Sequence, residues 1–144
     1  MRFILMTRAT RHSEAGVRPS RESIDAMNAY HEELEKAGVL LAAERLYPSS
    51  SGLRMSFSRP GGQPSVTSGP LAEVNELVAG FTLIEVKSEE EAIEWALRVP
   101  DPHGYGEGVI ELRQLFDRRT PAQDPGMRVL EDELHSQIDM LKKS

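Results

Sequence analysis

The sequence contains no cysteine. That absence removes disulfide frameworks, thiolate nucleophiles and every cysteine-ligated zinc or iron–sulfur site. Positive charge is in deficit, with 17 Lys and Arg against 23 Asp and Glu and a formal net charge of −6. A nucleic-acid partner is therefore not expected, because phosphate binding needs a concentrated basic footprint. Long apolar runs are also missing. The N-terminus reads Met-Arg-Phe-Ile-Leu-Met-Thr-Arg, and its apolar run spans four residues, too short for a signal peptide or a membrane span. The expectation is no membrane association and a cytoplasmic location.

What is present suits one folded unit. At 144 residues, 39% hydrophobic and 28% charged, the chain can bury about two-thirds of its unfolded surface. Arg2, Arg8, Arg11, Arg18 and Arg21 gather near the N-terminus. They read as a solvated basic edge, with attraction of an anionic ligand as the alternative.

Periodicity divides the chain into elements. Phe3–Thr7 is a short apolar run that fits a buried strand, followed by a polar stretch from Arg8 to Pro19. Ser20 stands where an N-cap belongs, and Ile24, Met27, His31 and Leu34 recur on one predicted helix face. Gly38 ends that helix. Val39–Tyr47 is the next extended run. Leu53, Met55 and Phe57 then alternate with polar residues as a half-buried strand does, and the turn Arg59-Pro60-Gly61-Gly62 returns the chain to Ser65–Thr67 as a hairpin. Leu71–Val78 is expected to be a short helical connector and Phe81–Val86 a strand. Ser88 and Glu91 form a capping box opening a helix from Glu89 to Val99, with Ile93, Ala96 and Leu97 inward and Trp95 on another side. Val109–Phe116 is the last strand.

With the hairpin and its connector set aside, the order is β-α-β followed by β-α-β. This is the split βαβ, or ferredoxin-like, α+β arrangement: an antiparallel sheet with two helices on one face. The other face of such a sheet needs cover, which predicts a homodimer built like a dimeric α+β barrel. The ferredoxin-like unit is expected over residues 1–118, and residues 119–144 form a Pro-containing linker (Thr120–Gly126) and an amphipathic helix. Leu130, Leu134, Ile138 and Leu141 make its apolar stripe, with Glu131, Asp132 and Glu133 at the start and Lys142 and Lys143 at the end. The helix either packs on its own domain or crosses to a second copy.

The stretch Thr67-Ser68-Gly69-Pro70-Leu71-Ala72-Glu73-Val74-Asn75-Glu76-Leu77-Val78-Ala79-Gly80-Phe81 resembles the signature segment of the YCII-related proteins of the DGPF type. Glu33-Leu34, Ala37 to Leu40, Glu44, Ile84-Glu85-Val86, Ala92 to Ala96 and Gly108 to Leu115 agree with the flanks of that pattern. The resemblance covers Phe3 to Phe116 and implies the ferredoxin-like fold. The motif's Asp, Phe and Lys are here Ser68, Leu71 and Asn75, so a titratable acid and an anion-pairing cation are missing. The wider superfamily is associated with a His–Asp pair, its His on the first helix; the matching position here is Met27, with His31 one turn later. Relatives of the superfamily act on small oxygenated ring compounds, and others of the DGPF type are associated with extracytoplasmic-function sigma factors.

The candidate catalytic residues are His31 and Glu44. A histidine on an apolar helix face has a shifted pKa and suits general base work, the alternative being a core histidine bonded to backbone. Glu44 follows Leu40-Leu41-Ala42-Ala43 inside a strand and needs a partner. Arg113 is the candidate counter-charge and ligand-binding cation, with Arg45 and Arg54 as alternatives. Ser68 and Gly69 are candidate ligand contacts through a hydroxyl and turn amides, against the simpler reading of a plain turn. Gly104-Tyr105-Gly106-Glu107-Gly108 lacks a following Gly-Lys-Ser helix and is no phosphate loop. His12, His103 and His135 are too scattered for a metal site, and no metal or cofactor is expected. Two functions remain: a pocket protein for a small molecule, or a non-catalytic interaction protein.

Overall fold

A computed structural model describes residues 1–117, 134–138, 140 and 141. Within residues 1–117 six strands and three helices are arranged as β1 (Arg2–Arg8), α1 (Arg11–Glu14), α2 (Arg21–Lys36), β2 (Leu40–Arg45), β3 (Leu53–Ser56), β4 (Ser65–Ser68), β5 (Val78–Glu85), α3 (Glu89–Leu97) and β6 (Ile110–Gln114). Strands β2-β5-β1-β6 form one sheet in that order, with every neighbouring pair antiparallel. With β3 and β4 set apart as their own two-stranded sheet, this is the ferredoxin-like order, and the chain has that α+β fold.

Local chemistry sets the helix ends. Ser20 caps α2 by accepting from the Ser23 amide at 3.2 Å, and Gly38 takes a φ of 73° just past its last turn. Ser88 caps α3 through the Glu91 amide, while the Glu91 carboxylate accepts from Lys87 N–H. The polar stretch after β1 contains a helical turn that hydropathy does not signal. Thr10 and Ser13 close a reciprocal capping box around α1.

The core lies between the sheet and α2 and α3. Phe3 and Leu5 of β1, Ile84 of β5, Tyr30 and Leu34 of α2, Ala92 of α3, and Val39 and Val86 make one buried cluster. Leu34 and Ile84 are fully enclosed. The helix faces are rotated from the sequence expectation. Ser23, Tyr30 and Leu34 are the buried positions of α2, while Ile24 is exposed. In α3 the inward residues are Ala92, Trp95 and Ala96, whereas Leu97 is 81% exposed. Tyr30 makes the difference on both helices: its hydroxyl donates to the Trp95 carbonyl at 2.7 Å, and its ring meets Trp95 edge-on.

Two further expectations are corrected. Leu71–Val78 is not a helical connector: it holds one 3-10 turn, Val74–Glu76, and Val78 already begins β5. The β3–β4 hairpin forms with Met55 opposite Val66 as its alternation implies, but none of its residues is half-buried; all eight are exposed. Residues 134–138, 140 and 141 are helical, and Leu134, Ile138 and Leu141 are exposed. The linker Thr120–Gly126, Leu130, the acidic Glu131–Glu133, Lys142, Lys143 and the expected boundary after residue 118 lie outside the described residues. Among the described residues, no helix is long and apolar enough to cross a membrane.

Candidate functional site

A cleft of about 720 Å³ lies between α2 and the β2 side of the sheet. One wall is the α2 stripe Ile24, Met27, Asn28 and His31, at helical i, i+3, i+4, i+7 spacing. The floor includes Thr7 of β1 and Gly80 and Thr82 of β5, and the rim includes Val17, Arg18, Arg45 and Tyr47. Gly80 lets β2 come close: a Cβ there would stand 2.9 Å from the Glu44 carbonyl oxygen.

His31 borders this cleft with a buried Nε2 that has no hydrogen-bond partner among the described residues. Burial holds the imidazole below its ordinary value of 6.5, against the opposing charge of Glu35. The ring is therefore neutral at neutral pH. An unengaged buried ring nitrogen is uncommon in native proteins. Met27, at the position the family resemblance assigns to histidine, lines the same cleft one turn earlier.

Strand register separates the other candidates. Arg45 pairs with Gly80 and Ala43 with Thr82, on the side of the sheet that carries Ile84 and the helices. Glu44 pairs with Phe81 and so projects to the opposite face, although it borders the cleft at the strand edge. Following the ladder across the sheet places Glu44, Phe81, Met6 and Glu111 in one row, and Ala42, Leu83, Ile4 and Arg113 in the next. Glu44 and Arg113 thus share a face but sit on opposite edge strands. Three strand spacings, roughly 14 Å, lie between them. Arg113 instead reaches Glu111 at 3.4 Å, and Arg8 approaches the same carboxylate at 3.7 Å. The expected constellation of His31, Glu44 and Arg113 is not assembled. Arg45, one residue along from Glu44, is the charged β2 residue on the His31 side.

Ser68 and Gly69 lie at the end of the hairpin, outside the cleft lining. The Gly69 amide donates to the Gly52 carbonyl at 2.9 Å and the Leu71 amide to Ser49 Oγ at 2.8 Å. Both turn amides are thus spent on structure. Gly69 is required by packing, since a Cβ there would fall 1.6 Å from the Ser49 carbonyl oxygen. Ser49 also donates through its hydroxyl and its amide to the Glu14 carboxylate, which ties α1 to the loop after β2.

Beside the cleft, His103 Nε2–H donates to the Val17 carbonyl at 3.1 Å, and the Ser20 amide donates to the His103 carbonyl. His12 stacks on Tyr105 at 4.2 Å and meets Glu107 at 3.0 Å. These contacts pin the 101–107 loop to α1 and to the start of α2. Among the described residues, no group of three His, Asp or Glu side chains is placed to hold a metal ion.

No curated protein matches the chain. Residues 1–119 match the family model of the YCII-related domain, which is most of the 144-residue sequence, and the chain therefore belongs to the YCII-related domain family.

Proposed function

We propose that the chain binds or transforms a small oxygenated organic molecule in the cleft between α2 and the sheet. The observation that carries this reading is the buried, unpartnered Nε2 of His31 at that cleft. A volume of about 720 Å³ falls inside the usual span of small-molecule pockets, about 300–1,000 Å³. A neutral imidazole with an unengaged nitrogen is suited to take a proton or to hydrogen-bond an oxygen substituent. Thr7 and Thr82 offer hydroxyls from the floor. Within the family we place the chain with the DGPF type, on the segment Thr67–Phe81.

The test is a thermal-shift screen of small hydroxy and keto organic acids, repeated on His31→Gln. A stabilising compound whose effect drops sharply in the variant supports the site. Unchanged binding and turnover in His31→Gln would remove His31 from any role in it.

A homodimer completes this reading. The sheet face away from the helices has an apolar centre of Ile4, Met6, Phe81 and Leu83, with Glu44 on one edge and Glu111 and Arg113 on the other. A second copy turned about an axis along the strands would bring each Glu44 over its partner's opposite edge strand, which carries Glu111 and Arg113. Sedimentation velocity at micromolar concentration should give a dimer, and a monomer counts against it. The second reading, a non-catalytic regulatory or interaction protein, is favoured by the hairpin, whose Leu53, Met55 and Val66 present an exposed apolar face.

A further inference from the structure

The cleft has a charge character that its shape alone does not explain. Arg18, on the segment before α2, and Arg45, at the end of β2, both border it. Neither makes an ion pair with any described residue, whereas Arg8, Arg98 and Arg113 all do. The acidic residue at the cleft edge, Glu44, belongs by register to the other face of the sheet. His31 is neutral at neutral pH, and His103 has its Nε2–H engaged by Val17. Two arginines without an ion pair among the described residues therefore line a cleft whose lining also includes Ile24, Met27 and Val17. Guanidinium is the side-chain cation best matched to a planar carboxylate, through two parallel N–H donors.

We propose that the ligand of this cleft is an organic carboxylate, its anionic group held by Arg18 and Arg45 and its carbon body lying toward His31. The apolar walls take the body of the molecule. His31 Nε2 then meets the part remote from the carboxylate. This inference rests on the reading of the cleft as a ligand site and adds the chemical class of the ligand to it.

The experiment uses the full chain and three phenyl probes: benzoate, its neutral near-isostere benzamide, and phenyl phosphate. Binding is followed by amide-resolved NMR titration at constant ionic strength, for the natural sequence and for Arg18→Gln, Arg45→Gln and Arg45→Lys. Benzoate should shift the amides of Ile24, His31, Arg45 and Thr82 and bind at least about tenfold more tightly than benzamide. Each Gln variant should lose about tenfold in benzoate affinity, with Arg45→Lys between, because a lysine keeps the charge but not the fork. Benzamide affinity should be unchanged by all three substitutions.

Equal binding of benzoate and benzamide at these amides overturns the carboxylate assignment and leaves the cleft standing as a ligand site. Tighter binding of phenyl phosphate than of benzoate overturns it in favour of a phosphate ester. Benzoate affinity unmoved by both Gln variants overturns the role of the two arginines. No shift at these amides with any probe overturns the inference together with the reading it rests on. Unaltered amide spectra of the free variants show that the fold is retained, as expected for two exposed positions.

Discussion

The four-stranded sheet and the β3–β4 hairpin are both antiparallel and both carry apolar residues at alternate positions, yet they have opposite fates. In the sheet, Phe3, Leu5 and Ile84 are enclosed by α2 and α3. In the hairpin, Leu53, Met55 and Val66 remain about three-fifths exposed, at 61, 58 and 61%. Alternation fixes which residues share a face of a strand. It says nothing about whether another element will cover that face. Cover comes from the helices that follow β1 and β5 in sequence, and among the described residues none covers β3 and β4.

The sharpest way to break this contrast is a matched pair of truncations. Leu34→Ala removes a fully enclosed side chain and should cost roughly 2–5 kcal/mol. Met55→Ala, on the exposed hairpin, should cost less than about 0.5 kcal/mol in the monomer. Urea unfolding of both variants measures the difference. A Met55 penalty approaching that of Leu34 would mean that a second copy or another partner covers the hairpin, and dilution would then weaken it.

Two glycines sharpen the same comparison. Gly80→Ala sets a methyl 2.9 Å from the Glu44 carbonyl oxygen between β2 and β5, and should cost on the order of 1–3 kcal/mol of global stability. Gly69→Ala collides with the Ser49 backbone, at 1.6 Å, but at the foot of the hairpin. There the sheet can stay folded while the hairpin loosens. Limited proteolysis should cut the Gly69 variant within residues 49–70 and leave the Gly80 variant without that preference. Identical cleavage patterns would show that hairpin and sheet unfold as one unit.

Much of the fold was legible from residue patterns because local chemistry agreed with it. Ser20, Gly38 and the Ser88–Glu91 box mark helix ends by side-chain hydrogen bonds that act within one turn. The inward faces were less legible. Tyr30 goes inside because the Trp95 carbonyl satisfies its hydroxyl, and that partner lies 65 residues away. His31 borders the cleft from the helix face that its spacing implies, whereas the facing of β2 could not be read from its residues. Counting by twos from Leu40 places Glu44 on the helix side. A bulge between Leu40 and Ala42 inserts one extra residue, so Ala43 and Arg45 take that side instead. A bulge is a property of the paired strands and leaves no hydropathy signature in β2 itself. Arg113 was misassigned for a related reason, since only strand order reveals that it and Glu44 occupy opposite edges.

Covered and bare regions should also differ in how they respond to lost hydrogen bonds and to pH. Tyr30→Phe removes the bond to the Trp95 carbonyl and should cost about 1 kcal/mol. Burial pushes the Tyr30 phenol from 10.0 up to about 12, with Arg98 opposing and Glu33 assisting. Between those values the folded chain holds the proton and the unfolded chain releases it. Stability therefore declines as pH rises through that window, and Tyr30→Phe should abolish this part of the decline.

The smallest effect expected is the acid counterpart at His31. Its folded pKa is depressed below the unfolded value of 6.5 because burial disfavours the imidazolium. Between the two values the unfolded chain binds more protons than the folded one, so stability increases with pH there. The contribution is complete above 6.5, is lost as pH falls through that value, and stops changing below the folded pKa. Urea midpoints across roughly pH 5 to 8 should thus rise with pH in the natural sequence and rise less steeply in His31→Gln. A ligand that donates a hydrogen bond to Nε2 should deepen the depression and extend the slope to lower pH. One that accepts from a protonated ring should do the reverse. An unchanged slope in His31→Gln would place the histidine in contact with solvent and deprive the cleft of its desolvated nitrogen.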